Sequence, residues 1–492
     1  MVYHCCHSWL HLLRNTSQVA VRHLSTNNST FSKENVLPKN ILHLHERGMF
    51  QDIYPPASVN LPNLLKKKQC FYCGFDPTAS SLHVGNLLSL MALLQCQRAG
   101  HNVIAVIGTA TARAGDPSAH TKDRSILSKK DLFANAHSIS ESLERIVKNH
   151  EKHLYDNRLK KILPGFKILF NHTWYEKENV IDFMGTVGRD FRIGPMLEKR
   201  YIKDRINSLE GLVLAEFVYQ IFQAYDWKYL RENYNCCFQI GGSDQLGNIN
   251  AGYELIKKRY KEELYGLLTP LVTTLRGEKL GKSAGNTVWL NPDKTSPFEF
   301  YQYFYRQPDK VVEQFLKYFT FIDLNQIEDI IEEHKKKPQL RKAQRILARN
   351  VCKIVHGEIG LISAERCSRV LYEGRIDDLE QLSDDEIAAT FLGMNIIHGV
   401  LEPDTTVYDL VANIVEAIPQ GTKGENIILG GGVRINGRIV DFPHQILLSD
   451  IHVLKNDLTL VTVGKVHHYV VRWKLPRIEH DEDDDDDKLP SV

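Results

Sequence analysis

No apolar run in these 492 residues is long enough to span a bilayer, which excludes a helical membrane-spanning reading. Charge of one sign is equally scarce. The 61 Lys and Arg side chains against 60 Asp and Glu leave a formal charge of +1, so no strong net field marks the chain for a polyanion or a basic partner. Cysteine is sparse and odd in number at nine, which leaves at least one thiol unpaired and does not make a disulfide framework. A reduced interior is expected. Cys70 and Cys73 form a lone CxxC, but structural zinc needs four ligands and no second close pair of Cys or His follows at finger spacing, so no metal site is expected. Internal repeats are also missing. What remains is ordinary globular composition, with 43% hydrophobic and 25% charged residues, in a length that suggests about three domains at roughly 150 residues each.

The near-zero charge conceals two opposed ends. Residues 1–33 contain Arg14, Arg22 and Lys33 and no acidic side chain, mixed with Ser, Thr and the apolar Trp9, Leu10, Leu12 and Leu13. This acid-free amphipathic character reads as a mitochondrial presequence. A secretory signal fits less well, because His7, His11 and Arg14 interrupt the apolar core; a disordered arm is the plain alternative. At the other end, Asp481 to Asp487 is unbroken acid with nothing apolar to bury, so residues 475–492 are expected to be a disordered tail.

Between these ends, the pattern from Phe71 to Ile107 is the most informative. A short apolar run, Phe71 to Phe75, precedes the turn-forming Asp76-Pro77-Thr78, and Leu82 to about Arg98 then has helical character that stops near Gly100. Val103 to Ile107 reads as a buried strand. The result is a βαβ unit. Further strand candidates, Phe166 to Phe170 and Cys237 to Ile240, alternate with helical stretches, as in a parallel sheet covered by helices on both faces. From about Pro297 to Leu392 helix follows helix. Beyond Pro403, short strand-like pieces (Val433 to Ile435, Ile439 to Val440, Leu458 to Val463, Tyr469 to Trp473) alternate with turns such as Asn436-Gly437.

Three local patterns carry chemistry. His83-Val84-Gly85-Asn86 falls at the first turn of the helix after the first strand, where backbone N–H groups and the helix dipole favour an anion. Alone, a histidine at a helix start is more often a cap or surface residue. Some 200 residues later, Lys279-Leu280-Gly281-Lys282-Ser283 places two lysines on a glycine-bearing loop that could neutralise a triphosphate as its charge redistributes. Read alone, it is an ordinary solvated loop. Tyr219, Gln223 and Asp226, spaced by four and three, form one polar stripe on an otherwise apolar helix, which could face a substrate or water.

Taken together, these patterns resemble the class I aminoacyl-tRNA synthetases, whose signatures are HIGH after the first strand and KMSKS after the catalytic fold. The segments Tyr72 to Thr78, Gly115-Asp116-Pro117-Ser118, Glu216 to Asp226, Gln239 to Gln245 and Lys279 to Ser283 are similar to the bacterial and mitochondrial type that activates tyrosine, and the resemblance runs from about residue 37 to 474. It implies an α/β fold: a Rossmann-like parallel-sheet catalytic domain over residues 34–275, a mobile lysine loop and linker over 276–296, an α-helical anticodon-binding domain over 297–402 and a small α+β RNA-binding domain over 403–474. The implied activity is formation of tyrosyl-adenylate from L-tyrosine and ATP, then transfer of tyrosine to tRNA(Tyr), by a homodimer in the mitochondrial matrix.

The resemblance also implies roles for residues. Tyr72 and Asp226 would bond the substrate phenol, Asp116, Tyr219 and Gln223 its ammonium, and Gln239 and Gln245 its carboxylate or the adenylate. Cys73, Asp76, Thr78, Gly85, Asp244 and Ser283 would line the ATP site, with His83, Asn86, Lys279 and Lys282 stabilising the α-phosphorus and departing pyrophosphate and Mg2+ riding on the phosphates. Asn86 replaces the second histidine of HIGH; its amide can donate to a phosphate oxygen but carries no charge. Arg341, Arg345 and Arg349, one helical turn apart, and Arg434 in the last module would contact tRNA phosphates; as a bare pattern, a basic stripe is equally a solvated face. A tryptophan-activating enzyme, a nucleotidyltransferase using the same histidine motif, and a synthetase-derived RNA-binding protein are the competing readings.

Overall fold

The computed structural model describes residues 41–56, 61–119, 127–154, 163–271, 287–373, 376–380, 382–391, 394, 396–447, 449–464 and 467–474. The expected presequence (1–33), the acidic tail (475–492), and Lys279, Lys282 and Ser283 lie outside the described residues. Six strands form the first sheet: β1 (Asp52–Tyr54), β2 (Cys70–Phe75), β3 (Asn102–Ile107), β4 (Phe166–Phe170), β5 (Phe238–Gly242) and β6 (Tyr265–Thr269). Their spatial order is β1-β6-β5-β2-β3-β4. The last five run parallel, and only the short edge strand β1 pairs antiparallel, with β6. Strands β2 and β3 are apolar and buried along almost their whole length, as strands covered on both faces must be.

The chain steps outward from β2 through β3 to β4, then returns across the sheet to place β5 on the other side of β2. That reversal opens a crevice at the carboxyl ends of β2 and β5, the position where ligands collect in open α/β sheets. Helix α1 (Val84–Arg98) packs on β2, β3 and β5, and α2 (Lys129–Asn149) on β3 and β4. The helix begins two residues later than its apolar pattern predicts. His83 is extended (φ −116°, ψ 172°), and the Leu82 carbonyl accepts from Leu290 N–H at 2.8 Å, so Leu82 belongs to a short strand-like pairing instead. The short α3 (Arg200–Ile206) precedes α4 (Leu214–Tyr234) and α5 (Leu246–Tyr260), which pack against each other. Their apolar positions, including Ile221, Ala224, Trp227, Leu230, Ile249 and Ile256, share one core with Tyr72, Ile104 and Val106 of the sheet.

Four helices follow: α6 (Pro297–Tyr305), α7 (Asp309–Phe319), α8 (Leu324–Lys336) and α9 (Lys342–Ser368). Ser296 and Glu299 cap α6 reciprocally, with Pro297 at the first helical position, the sequence signature of a helix start. The long α9 is interrupted at Gly357, whose φ of 74° is non-helical. These helices are fastened to the sheet domain by one buried and one half-buried cation: Arg47 donates to the carbonyls of Lys317, Thr320 and Ile322 at 3.0, 2.7 and 2.7 Å, and Arg145 to those of Leu290 and Val355 at 3.0 and 3.3 Å.

A second sheet closes the described chain, in the order β7-β11-β10-β8-β9, built from β7 (Ile396–Val400), β8 (Val433–Ile435), β9 (Arg438–Val440), β10 (Leu458–Val463) and β11 (His467–Lys474). Asn436 and Gly437, both at positive φ, make the two-residue β8–β9 turn. Strand β7, parallel to β11, lies ahead of residue 403, where the sequence pattern places the start of this module. The difference has a physical cause: β7 is fixed as an edge strand by pairing with the sequence-distant β11, and its mixed sequence IIHGV has no alternation that would announce it.

Candidate active site

One cleft of about 360 Å3 opens at the carboxyl ends of β2, β3, β5 and β6. From β2 and its following turn come Tyr72, Cys73, Asp76 and Thr78; from the start of α1, His83, Gly85 and Asn86; from α4, Tyr219, Gln223 and Asp226. Asp116, Gln239 of β5, and Asp244 and Gln245 just beyond it complete the set. Every sequence-predicted substrate residue within the described part of the chain therefore lines the same cavity. The polar stripe of α4 turns inward, because the apolar side chains flanking it are drawn into the core against the sheet.

Deep in the cleft, two groups stand out. The Tyr72 hydroxyl is buried and has no hydrogen-bond partner, and the same holds for Oε1 of Gln239, its register neighbour across β2 and β5. Near Tyr72 lies the buried Asp226, whose Oδ1 accepts from the Trp174 indole at 2.9 Å and whose Oδ2 accepts from the Asn171 amide at 3.1 Å. The orientation of Asn171 is set from behind, since its Oδ1 accepts the Ala110 N–H at 2.6 Å. Burial pushes the Asp226 carboxyl up to about 7, and the Trp174 and Asn171 donors pull it back only in part. Burial beside Asp226 likewise holds the Tyr72 phenol well above its ordinary value, so Tyr72 keeps its proton.

Midway along the cleft, Asp76 accepts from Thr111 Oγ1 at 2.7 Å and from the Tyr219 hydroxyl at 2.8 Å. This pair crosses directly over Gly108, where a Cβ would stand 1.9 Å from Asp76 Oδ1, so only glycine allows the approach. Asp116 accepts from Ser118 N and Oγ, from Gln245 Nε2 and from Asn248 Nδ2 at 2.9, 2.7, 2.7 and 3.3 Å. These four donors are neutral; they orient the carboxylate without cancelling its charge, which suits it to a cationic substrate group.

Toward the mouth, the His83 N–H donates to Asn86 Oδ1 at 3.1 Å. The amide oxygen of Asn86 is thereby occupied in capping α1, and its NH2 is the end left to donate. Cys73 is buried and its thiol is pushed up to about 12, against a lowering hydrogen bond from Ser89, so it stays protonated. An antiparallel bridge joins His83 to Trp289. Leu271 and Trp289, described residues on either side of the stretch of sequence that contains Lys279, Lys282 and Ser283, both line the cleft.

The arginine stripe stands apart from the cleft and is less free than its spacing predicts. Arg341 donates to the carbonyls of Tyr305 and Gln307 at 2.7 and 3.1 Å and lies over the Tyr305 ring; it clips α9 to α6 and is not an open phosphate ligand. Arg349 pairs with Glu365 at 2.7 Å, an exposed contact of the kind that contributes little and exchanges readily. Arg345 is exposed on the same face, and Arg434 is exposed on β8. Sequence reasoning missed Asn171, Trp174, Ser89, Asn248 and Trp289. Asn248, three residues after Gln245, and Ser89, three after Asn86, each near the start of a helix, sit at a spacing that could have signalled them.

Comparison with known proteins gives a consistent result. Residues 65–373 match the family model described as tRNA synthetases class I (W and Y). The chain is 47% identical over 434 residues to the human mitochondrial tyrosine–tRNA ligase, covering 87% of this chain and 90% of that one. It is 36% identical over 423 residues to the tyrosine–tRNA ligase of Staphylococcus carnosus, covering 84% and 94%. Among solved structures, a C-terminally truncated mitochondrial tyrosyl-tRNA synthetase from Aspergillus nidulans superposes with a TM-score of 0.61 at 30% identity, covering 74% of this chain and 99% of that one.

Proposed function

Because the chain belongs to the class I tRNA synthetases of the tryptophan and tyrosine group, we propose that it is a tyrosine–tRNA ligase of mitochondrial translation, with the cleft as its active site. The observation that carries the choice of tyrosine is the pair at the cleft's inner end: an unpartnered Tyr72 hydroxyl beside the buried Asp226 carboxylate. Phenylalanine would leave the Tyr72 hydroxyl desolvated and unsatisfied, a cost of about 1–3 kcal/mol, and would deny the buried Asp226 the further donor that a phenol brings; that a tyrosine site rejects phenylalanine in this way is an established example for this enzyme class. Tryptophan, without a phenol, meets the same objection.

In this assignment the phenol donates to Asp226 and accepts from Tyr72, while Asp116, with Tyr219 and Gln223, takes the ammonium. Gln239 and Gln245 orient the carboxylate, whose oxygen attacks the α-phosphorus of ATP; the new O–P bond forms as the bond to pyrophosphate breaks. No side chain becomes covalently attached. Cys73, Asp76, Thr78, Gly85, Asp244 and Ser283 surround the nucleotide, and the chain's task is alignment together with stabilisation of charge that exists only in the transition state. His83, the Asn86 NH2, Lys279 and Lys282 supply that stabilisation, and the cleft-lining positions of the flanking Leu271 and Trp289 support the lysines' share. In the second step the terminal ribose hydroxyl of tRNA attacks the activated carbonyl and AMP leaves. Mg2+ would arrive on the triphosphate and screen its charge, with phosphate and water oxygens supplying most of its coordination because this ion dehydrates reluctantly.

Arg345, Arg349 and Arg434 are assigned to the tRNA backbone, with Arg341 as a structural support. A second copy of the chain is assigned to the catalytic domain, where the large apolar side chains of Val180, Ile181, Met184, Ile193 and Leu209 are exposed and would gain from being covered. The translation role and the acid-free composition of residues 1–33 support location in the mitochondrial matrix. Amino-acid-dependent exchange of pyrophosphate into ATP, run with tyrosine, tryptophan and phenylalanine, tests the assignment. Exchange dependent on tyrosine is expected; exchange with tryptophan alone, or none, refutes it.

A further inference from the structure

Asp116 and Gln245 touch the cleft, yet the group that orients them lies one layer behind it. Asn248 is buried and donates its NH2 to both Asp116 Oδ1 at 3.3 Å and Gln245 Oε1 at 3.1 Å. Its own Oδ1 accepts from the Tyr201 hydroxyl at 2.9 Å. A side-chain amide has one accepting and one donating end, so a donor at the oxygen decides which end Asp116 meets. With the amide reversed, its oxygen would face a carboxylate oxygen, and Gln245 would lose the contact that aims its own NH2 at Asp116 and Ser118 at 2.7 and 2.9 Å.

We propose that Tyr201 is a positioning residue for the subsite that binds the amino acid's ammonium, acting through Asn248 to hold Asp116 and Gln245 in their binding geometry. This rests on the tyrosine–tRNA ligase reading of the cleft. Tyr201 itself does not line the cavity. Its ring lies against Gly247, where a Cβ would come within 2.4 Å of a ring carbon, so the glycine admits the ring close enough for its hydroxyl to reach the next residue. Neighbours brace it on both sides. Lys199 donates to the Gly247 carbonyl and to Gln220 Oε1 at 2.7 and 2.6 Å, tying the first turn of α5 to α4. Arg205, on the same short helix as Tyr201, pairs with the buried Glu216 near the start of α4 at 3.2 Å. Tyr201 is therefore held on a fixed support, and its hydroxyl is the part that reaches the substrate network.

The test is a double-mutant cycle on the full chain, read by pyrophosphate exchange with separate KM values for tyrosine and ATP, together with thermal unfolding. Tyr201→Phe keeps the ring on Gly247 and removes only the hydroxyl. KM for tyrosine should rise about tenfold, as for loss of one buried hydrogen bond, while KM for ATP and the unfolding midpoint stay near wild type. In an Asn248→Ala background, or Asn248→Ser if that variant does not fold, the same change should add nothing further. An unchanged KM for tyrosine in Tyr201→Phe, an equal effect in both backgrounds, or an equal rise in KM for ATP overturns the proposal while leaving the function assignment intact. A wild-type chain without tyrosine-dependent exchange overturns both.

Discussion

Replacing Asp226 by asparagine changes one charge at the innermost point of the cleft and almost nothing else in shape. Burial lifts this carboxyl from 3.8 to about 7 in the folded protein, with the Trp174 and Asn171 donors opposing the lift. At about 1.4 kcal/mol per pH unit, ionising Asp226 in place costs folding roughly 4 kcal/mol above pH 7. The unfolded chain releases this proton near pH 3.8 and the folded chain holds it to about 7, so stability falls as pH rises through that window and is level beyond it. Asp226→Asn is free of this penalty, but its amide oxygen can satisfy only one of the two donors, forfeiting about 1–3 kcal/mol. The variant should therefore be the more stable protein at pH 8, by about 1–3 kcal/mol, with the advantage shrinking steadily as pH falls toward 4. Catalysis should move the opposite way. A hydrogen bond to a charged group is worth about 1.5–3 kcal/mol, so kcat/KM for tyrosine at pH 8 should drop on the order of a hundredfold. In the wild type, kcat/KM for tyrosine should rise with pH up to about 7 and then level off; in Asp226→Asn that limb should be missing. Thermal unfolding and exchange kinetics over pH 5 to 8.5 provide both readouts. A wild-type profile flat across pH 7, or a stability difference independent of pH, would refute the reasoning.

Three further outcomes are expected. Tyr72→Phe removes the phenol's donor and should lower the preference for tyrosine over phenylalanine by about tenfold to a hundredfold, measured as the ratio of kcat/KM values in exchange. Trp174→Phe removes a donor that stabilises the Asp226 carboxylate, so the acid limb of the tyrosine profile should shift to higher pH; a shift to lower pH contradicts the assignment of that contact. Lys282→Ala should slow adenylate formation on the order of a hundredfold or more, as for loss of one transition-state donor, with single-turnover formation of the adenylate as the measurement.

Much of this architecture is legible before any folding. The runs Phe71 to Phe75, Val103 to Ile107 and Phe166 to Phe170 become strands almost residue for residue; the first two are central in the sheet, and a strand buried on both faces must be continuously apolar. The Asn436-Gly437 turn forms where its two positive φ values are cheapest. The spacing of Tyr219, Gln223 and Asp226 states that they share a helix face. It does not state which way that face looks, and the same ambiguity misled at Arg341, where a regular four-residue repeat ends in a clip between helices and not in an open cation.

Local order in the chain thus determined the elements, their caps and the sharing of faces, since each depends on neighbours a few residues away. Only the tertiary structure decided what each face meets. Asp226 acquires its upward shift from burial in the closing core, against the opposing donors Trp174 and Asn171, residues distant in the chain that carry no periodic signal. Tyr201 reaches Asn248, and through it Asp116, only because Gly247 leaves room for its ring. Burial and hydrogen-bond partnership belong to pairs of residues brought together across the fold, so no single stretch of sequence contains them.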